Sequence, residues 1–254
     1  MKHLLSKRWM ILLLMLIPLS VSLACLTLTS SPTAGSPTPD SQTPEAKTIQ
    51  ADVVFGSGPF NFPDTKAGLS DLTSYKTTLT LAFDGTRNGQ PSQWSKTYVM
   101  LTMKKPAARQ LTIEKAGDLF DLDSVFMAEM NGASYEQRGG NACNANMIEV
   151  GNSLTERLEP AGFLSGLIGA DEAGVGTVND VAANHYTFDE RSFGQLDLAQ
   201  STGEMWVASE GGYIVRYLVT TKGNADYFGE GIEGTLIWDY ELTDINQPAT
   251  FKLP

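Results

Sequence analysis

Cysteine and histidine are scarce in this chain: two of each in 254 residues, with His3 and Cys25 inside the first 25. Two cysteines cannot build a disulfide framework. The one remaining histidine, His185, excludes multi-histidine zinc sites and leaves room for at most one histidine-based triad. Clustered Lys or Arg, which binding to a polyanion requires, is also missing; 18 basic residues face 29 acidic ones. Nucleic acid is therefore excluded as a partner, and so is docking on anionic lipid through a basic face. No GxSxG elbow, HExxH or P-loop is present. Gly229 to Gly234 (GEGIEG) has the spelling of a dinucleotide loop, but it leads into a strand-like run and sets two acids where a pyrophosphate would lie. No cofactor is expected.

What the chain does have begins at its N-terminus. Lys2, Lys7 and Arg8 precede an uncharged run of 16 residues, Trp9 to Ala24, followed by Cys25. That order marks a secretory signal peptide over residues 1–24. Sixteen residues fall short of the ~20 that span a bilayer; extension to Leu28 reaches twenty and keeps an uncleaved anchor as the alternative. Ser22-Leu23-Ala24-Cys25 resembles a bacterial lipobox, which implies cleavage before Cys25 and attachment of acyl chains such as palmitate there. The competing reading is an ordinary signal peptide with an incidental cysteine. Of residues 26–50, 14 are Thr, Ser or Pro, too polar to offset the entropy of ordering, so residues 25–50 read as a disordered tether. The expected location is the extracytoplasmic side of a cell membrane, with the lipidated cysteine as anchor and other envelope proteins as further partners. Removing residues 1–24 leaves 15 basic against 29 acidic residues, a net charge near −14. Cys143 then has no intramolecular partner and is expected as a small buried apolar residue.

Residues 51–254 read as one β-rich domain. Thr77, Leu79, Leu81 and Phe83 share a strand face, followed by a turn at Asp84-Gly85. Val99, Leu101 and Met103 alternate with Tyr98, Met100 and Thr102, predicting a strand buried on both faces, and Leu111 and Ile113 begin a shorter run. Hairpins are predicted at Asn131-Gly132, Asn179-Asp180 and Glu210-Gly211-Gly212. Leu236, Trp238, Tyr240 and Leu242 oppose Asp239 and Glu241, the pattern of a sheet wetted on one side. Two helical segments are expected: Asn152 capping a run through Ile168, broken at Pro160 and Gly162, and Ser192 to Gln200. The fold class is mainly β with inserted helices: a curled antiparallel half-barrel of about nine to eleven strands with helices in the concavity. A two-sheet sandwich is the plainer alternative.

Two stretches carry a family resemblance: Asn179 to Asp189 (NDVAANHYTFD) and Gly203 to Val219 (GEMWVASEGGYIVRYLV). With the strand order and the helices past the midpoint, they resemble LolA/LppX-type lipoproteins over about residues 70–254. The resemblance implies an unclosed antiparallel barrel binding acyl chains or lipoproteins in its cavity, and no enzymatic activity. The ligand-lining candidates are Met100, Met103, Phe163, Leu164, Leu167, Tyr186, Met205, Trp206, Tyr217 and Trp238, large or adaptable apolar groups on sheet faces or on the inserted helix. Two other classes stay open: a cell-surface interaction module with a filled core, and a carboxylate hydrolase. Asp118, Asp121 and Asp123 lack the Gly and closing Glu of a calcium loop and read as solvated acids; no metal site is expected.

Overall fold

The structure, a computed structural model, describes residues 60–118, 123–147, 153–194 and 199–253. All of them belong to the compact unit Ala51–Pro254. The signal peptide, Cys25, the tether, Asn152 and Asp121 lie outside the described residues.

Eleven strands form a single antiparallel sheet: β1 (Ser74–Arg87), β2 (Gln90–Lys104), β3 (Ala107–Gly117), β4 (Val125–Met130), β5 (Ala133–Arg138), β6 (Asn144–Met147), β7 (Asp171–Val178), β8 (Val181–Asp189), β9 (Ala199–Ala208), β10 (Ile214–Gly223) and β11 (Ile232–Thr243). Their spatial order is β6-β5-β4-β3-β2-β1-β11-β10-β9-β8-β7. The first and last strands thus pair in the middle, and the two edges, β6 and β7, are neighbours in sequence. Strands of 14, 15 and 12 residues (β1, β2, β11) form the centre. A sheet of this many strongly twisted strands curls into an unclosed half-barrel.

Period-two patterning sets the faces. One register row crosses eight strands: Tyr186, Met205, Tyr217, Tyr240, Leu79, Tyr98, Ile113 and Val125. Beside it run Thr77, Met100, Leu111 and Met127 on one flank and Leu81, Trp238, Val219, Gly203 and Phe188 on the other. Leu79, Met100, Leu111, Met205, Tyr240 and Leu242 are fully buried on this concave face. Gly203 sits beneath the Phe188 ring, where any β-carbon would come within 2.3 Å of it.

The convex face is polar. Arg216 spans Asp239 and Glu241 at 3.6 and 2.9 Å. The tail after β11 lies over β1–β3, where Ser74 donates to the Gln247 carbonyl and the Lys252 amide donates to Gln110. This tail borders a groove of about 310 Å3 and leaves Val99 and Leu101 half-buried, short of the full burial on both faces of β2 that the alternation predicts.

Turn chemistry follows the sequence with one correction. Asn131-Gly132 and Asn179-Asp180 both adopt positive φ, the conformation a tight hairpin demands. Asp84-Gly85 is not a turn: β1 continues to Arg87 and reverses at Asn88-Gly89, also at positive φ. Gly85 lies opposite Gly234, and a β-carbon on Gly85 would meet the Glu233 carbonyl at 2.1 Å. That glycine marks close strand approach rather than reversal.

The helices are shorter than expected. A one-turn helix α1 (Leu154–Arg157) is capped by the Ser153 side chain, and a 3-10 turn, Pro160–Phe163, follows it. Ser192 to Gln200 is not a helix: a 3-10 turn ends at Phe193, and Ala199 and Gln200 already belong to β9. Gly194 in the left-handed region stops that turn. A second one-turn helix, α2 (Ala225–Phe228), places Phe228 edge-on to Phe83 at 5.6 Å. Cys143 is exposed rather than buried, because it lies in the loop that leads to the short edge strand β6.

Candidate ligand site

The connection from β6 to β7 has to pass from one edge of the half-barrel to the other, and its described part, 153–170, runs over the concave face. Ala161, Leu164, Leu167 and Ala170 enter the same buried cluster as Leu79, Met100, Met205, Tyr217 and Tyr240. This segment is a cover with little regular structure, and side-chain anchors hold it down.

Glu129 on β4 holds its start. Its carboxylate accepts hydrogen bonds from the Ser153 and Thr155 hydroxyls and from the Leu154 and Thr155 amides. Burial pushes the carboxyl up, but these four donors outweigh burial and hold it below the usual carboxylate value. Glu159 holds the middle, accepting from the Tyr75 and Thr77 hydroxyls at 3.1 Å each. Here burial dominates and raises the carboxyl above its ordinary value, against those two bonds and the field of Arg109. Tyr240, fully enclosed, carries a hydroxyl without a hydrogen-bond partner, and burial raises its pKa, with Glu159 and Tyr75 adding to the effect. Farther along, the Tyr217 hydroxyl donates to the Ser165 carbonyl, and Phe62 and Leu167 exchange a pair of backbone hydrogen bonds at 2.9 Å. Phe60 stacks on Tyr186 of β8 at 3.8 Å, so the segment entering the domain packs on the sheet beside the end of the cover that Phe62 pairs with.

Space remains at both ends. A cleft of about 760 Å3 opens beside the start of the cover, lined by Tyr75, Thr102, Glu129, Glu159, Arg109, Lys66, Lys104 and their neighbours. Near the other end, a void of about 40 Å3 is bordered by Ser165, Phe193, Tyr217, Val219, Thr221, Tyr227 and Trp238. Tyr75 and Leu81 mark these two levels along β1, about 20 Å apart at the strand rise.

Of the ten candidates, Met100, Met205, Tyr217, Leu164 and Leu167 are buried together under or in the cover. Phe163, Tyr186 and Trp238 are half-buried against that cluster, with Phe163 tilted over Tyr98 at 5.2 Å. Met103 borders the cleft. Trp206 lies on the convex face, stacked on His185 at 4.0 Å, while His185 also pairs with Glu204 at 3.0 Å. The half-barrel thus brings nine of the ten to the concave side or its mouth. Sequence reasoning missed Glu129, Glu159, Tyr75, Thr77 and Tyr240. The one available signal was Glu159, the acid directly ahead of Pro160 in the apolar stripe from Leu154 to Ile168.

Among the described residues, no group of three or more His, Cys, Asp or Glu is placed to hold a metal ion, and no helix is long and apolar enough to cross a membrane. No protein-family model and no curated protein matches the chain. Among solved structures, it is similar to the crystal structure of LprF from Mycobacterium bovis, at 11% identity and a TM-score of 0.38, over 75% of this chain and 93% of that one.

Proposed function

We propose that this chain is an extracytoplasmic lipoprotein of the LolA/LppX type, anchored by acyl groups on Cys25, whose half-barrel binds the acyl chain of a lipid between its concave face and the 153–170 cover. One observation carries the reading: the apolar rows of an eleven-stranded sheet are covered by the 153–170 crossing, with residues 60–72 beside it, instead of a second layer of long helices or strands. Lifting such a segment costs few backbone hydrogen bonds. An acyl chain laid between the cleft and the small void replaces the contacts of Leu164 and Leu167 and is desolvated at ~25 cal/mol per Å2 buried. Adaptable Met100 and Met205 line that track. No covalent step is assigned to the two cleft carboxylates, whose oxygens already serve hydroxyl and amide donors.

The test is the native mass of residues 51–254 purified without detergent from a bacterial host, followed by organic extraction. A stoichiometric excess mass that extracts as lipid is the expected result. An apo mass unchanged after incubation with mixed envelope lipids would overturn the proposal. It would leave the second reading, a surface interaction module, which the close packing of Ala161 and Leu167 (each 0% exposed) against the sheet favours.

A further inference from the structure

The 760 Å3 cleft has a chemistry that the acyl-chain reading does not explain. Three of its lining residues, Lys66, Lys104 and Arg109, are cations in a chain with a net charge of −11. Lys104 and Arg109 flank one hairpin, and the fold brings Lys66, 38 positions earlier, to them. The cleft also holds Glu129, Glu156 and Glu159, so three acids match the three cations in number, and what is left for a ligand turns on which side chains still have free donors. Glu129 and Glu159 are buried and already engaged by the donors described above. Glu156 meets Arg109 at 3.4 Å, but its own side chain is 68% exposed, and an ion pair so open to water holds little. Among the described residues, neither Lys66 nor Lys104 has an acid within salt-bridge distance. Two unengaged ammonium groups and one weakly engaged guanidinium therefore surround the space.

Resting on the acyl-chain reading, we infer that this cleft seats the anionic end of the ligand, a phosphate or carboxylate, with Lys66, Lys104 and Arg109 as its contacts. The planar guanidinium of Arg109 offers the paired donors that such groups accept, and a bound anion displaces Glu156 from it. The cleft opens at the level of Tyr75, where the apolar track under the cover begins, so head and chain are collinear. Behind Tyr75 and Glu159, under the cover, the enclosed Tyr240 hydroxyl lacks an acceptor, and an ester or acid oxygen at the root of the chain supplies one.

The experiment uses the full chain, released from micelles and read by native mass spectrometry after incubation with equimolar hexadecyl phosphate, palmitate and hexadecan-1-ol. Inorganic phosphate is measured separately by equilibrium dialysis. Two triple variants are compared with the wild type: Lys66→Gln/Lys104→Gln/Arg109→Gln, and a control that removes the same charge elsewhere, Lys76→Gln/Lys222→Gln/Lys252→Gln. The wild type and control are expected to favour the two anionic probes over the alcohol by at least tenfold, and the cleft variant to bind all three within about threefold. The ratio of phosphate to carboxylate probe tells which anion the site prefers. Equal occupancy by anion and alcohol in the wild type overturns the headgroup inference and leaves the acyl reading standing. The same holds if the preference survives in the cleft variant, or falls equally in the control. Inorganic phosphate retained with no chain-bearing probe overturns the acyl reading and reduces the cleft to a free-anion site. Should the triple variant fail to fold, Lys66→Gln and Lys104→Gln singly carry the same test, because neither side chain supports the fold through an ion pair.

Discussion

Replacing Glu159 tests whether a buried carboxylate holds the cover. In Glu159→Ala two enclosed donors, the Tyr75 and Thr77 hydroxyls, lose their acceptor, and the enclosed Tyr240 hydroxyl gains none. Each stranded donor costs about 1–3 kcal/mol. The variant should lose about 2–5 kcal/mol, which lowers Tm by roughly 5–15 °C for a domain of this size. Glu159→Gln keeps the shape and an acceptor oxygen and removes a charge from a buried site, so its loss should stay within about 1 kcal/mol. The pH dependence separates the two ideas further. Burial raises this carboxyl in the folded state above its usual 4.5, so the folded state holds the proton more tightly than the unfolded chain. The associated stability is complete below the unfolded value and is lost as pH rises through the folded one. Wild type should therefore lose ground to Glu159→Gln as pH rises from the usual carboxylate value of 4.5 through the raised folded one. Thermal melts of wild type, Gln and Ala variants across that range decide it. An Ala variant within about 0.5 kcal/mol of wild type, or a Gln variant with the same pH slope, would refute the anchoring role.

Four further outcomes follow from the same geometry. Glu129→Gln should weaken α1 and flatten the acid limb of the stability profile. Glu129 is held below its ordinary value, so its contribution is present above the unfolded value and is lost as pH falls through the folded one; acid melts report it. Gly203→Ala should cost about 1–3 kcal/mol in urea titration, because the new methyl group meets the Phe188 ring, and Phe188→Leu should recover part of that. Leu167→Ala, at a fully buried cover position, should cost about 2–5 kcal/mol and raise the rate of apolar-probe uptake in stopped-flow fluorescence. Cys143, being exposed, should react with maleimide in the native state, whereas Cys25→Ser should abolish incorporation of labelled palmitate; one labelling gel reads both.

Strands and faces were legible because period two is a local signal. The row from Tyr186 through Leu79 to Val125 is the alternation of each strand, set side by side by register. Hairpins announced by Asn-Gly or Asn-Asp also read correctly, since positive φ at those residues is a property of the turn itself. The errors fell where a local spelling has two physical causes. Asp84-Gly85 looked like a reversal, but Gly85 is there for close approach to Gly234, a residue 149 positions away. The stripe from Leu154 to Ile168 has helical spacing, yet Pro160 and the need to cross a concave floor reduce it to one turn of α-helix and one of 3-10. Cys143 read as buried from its type, and its place beside an edge strand decided otherwise. Glu159 was the least legible, because its partners Tyr75 and Thr77 stand 84 and 82 positions away.

The strand order ties these observations together. In a simple meander the first and last strands form the two edges, and nothing needs to cross the sheet. Here β1 and β11 pair at the centre, so the edges β6 and β7 are consecutive and the chain must bridge the open sides of the half-barrel. That bridge is the cover. Its position follows from the topology, but its affinity for the floor depends on a few contacts: Glu129 at its start, Glu159 in its middle, and the Phe62–Leu167 pair near its end. The pair is made by the first described residues of the domain, so the segment that enters the domain also holds down one end of the cover. A half-barrel closed by its own obligatory crossover needs no second domain as a lid. The two carboxylates that hold that crossover to the floor, Glu129 and Glu159, have opposite pH responses.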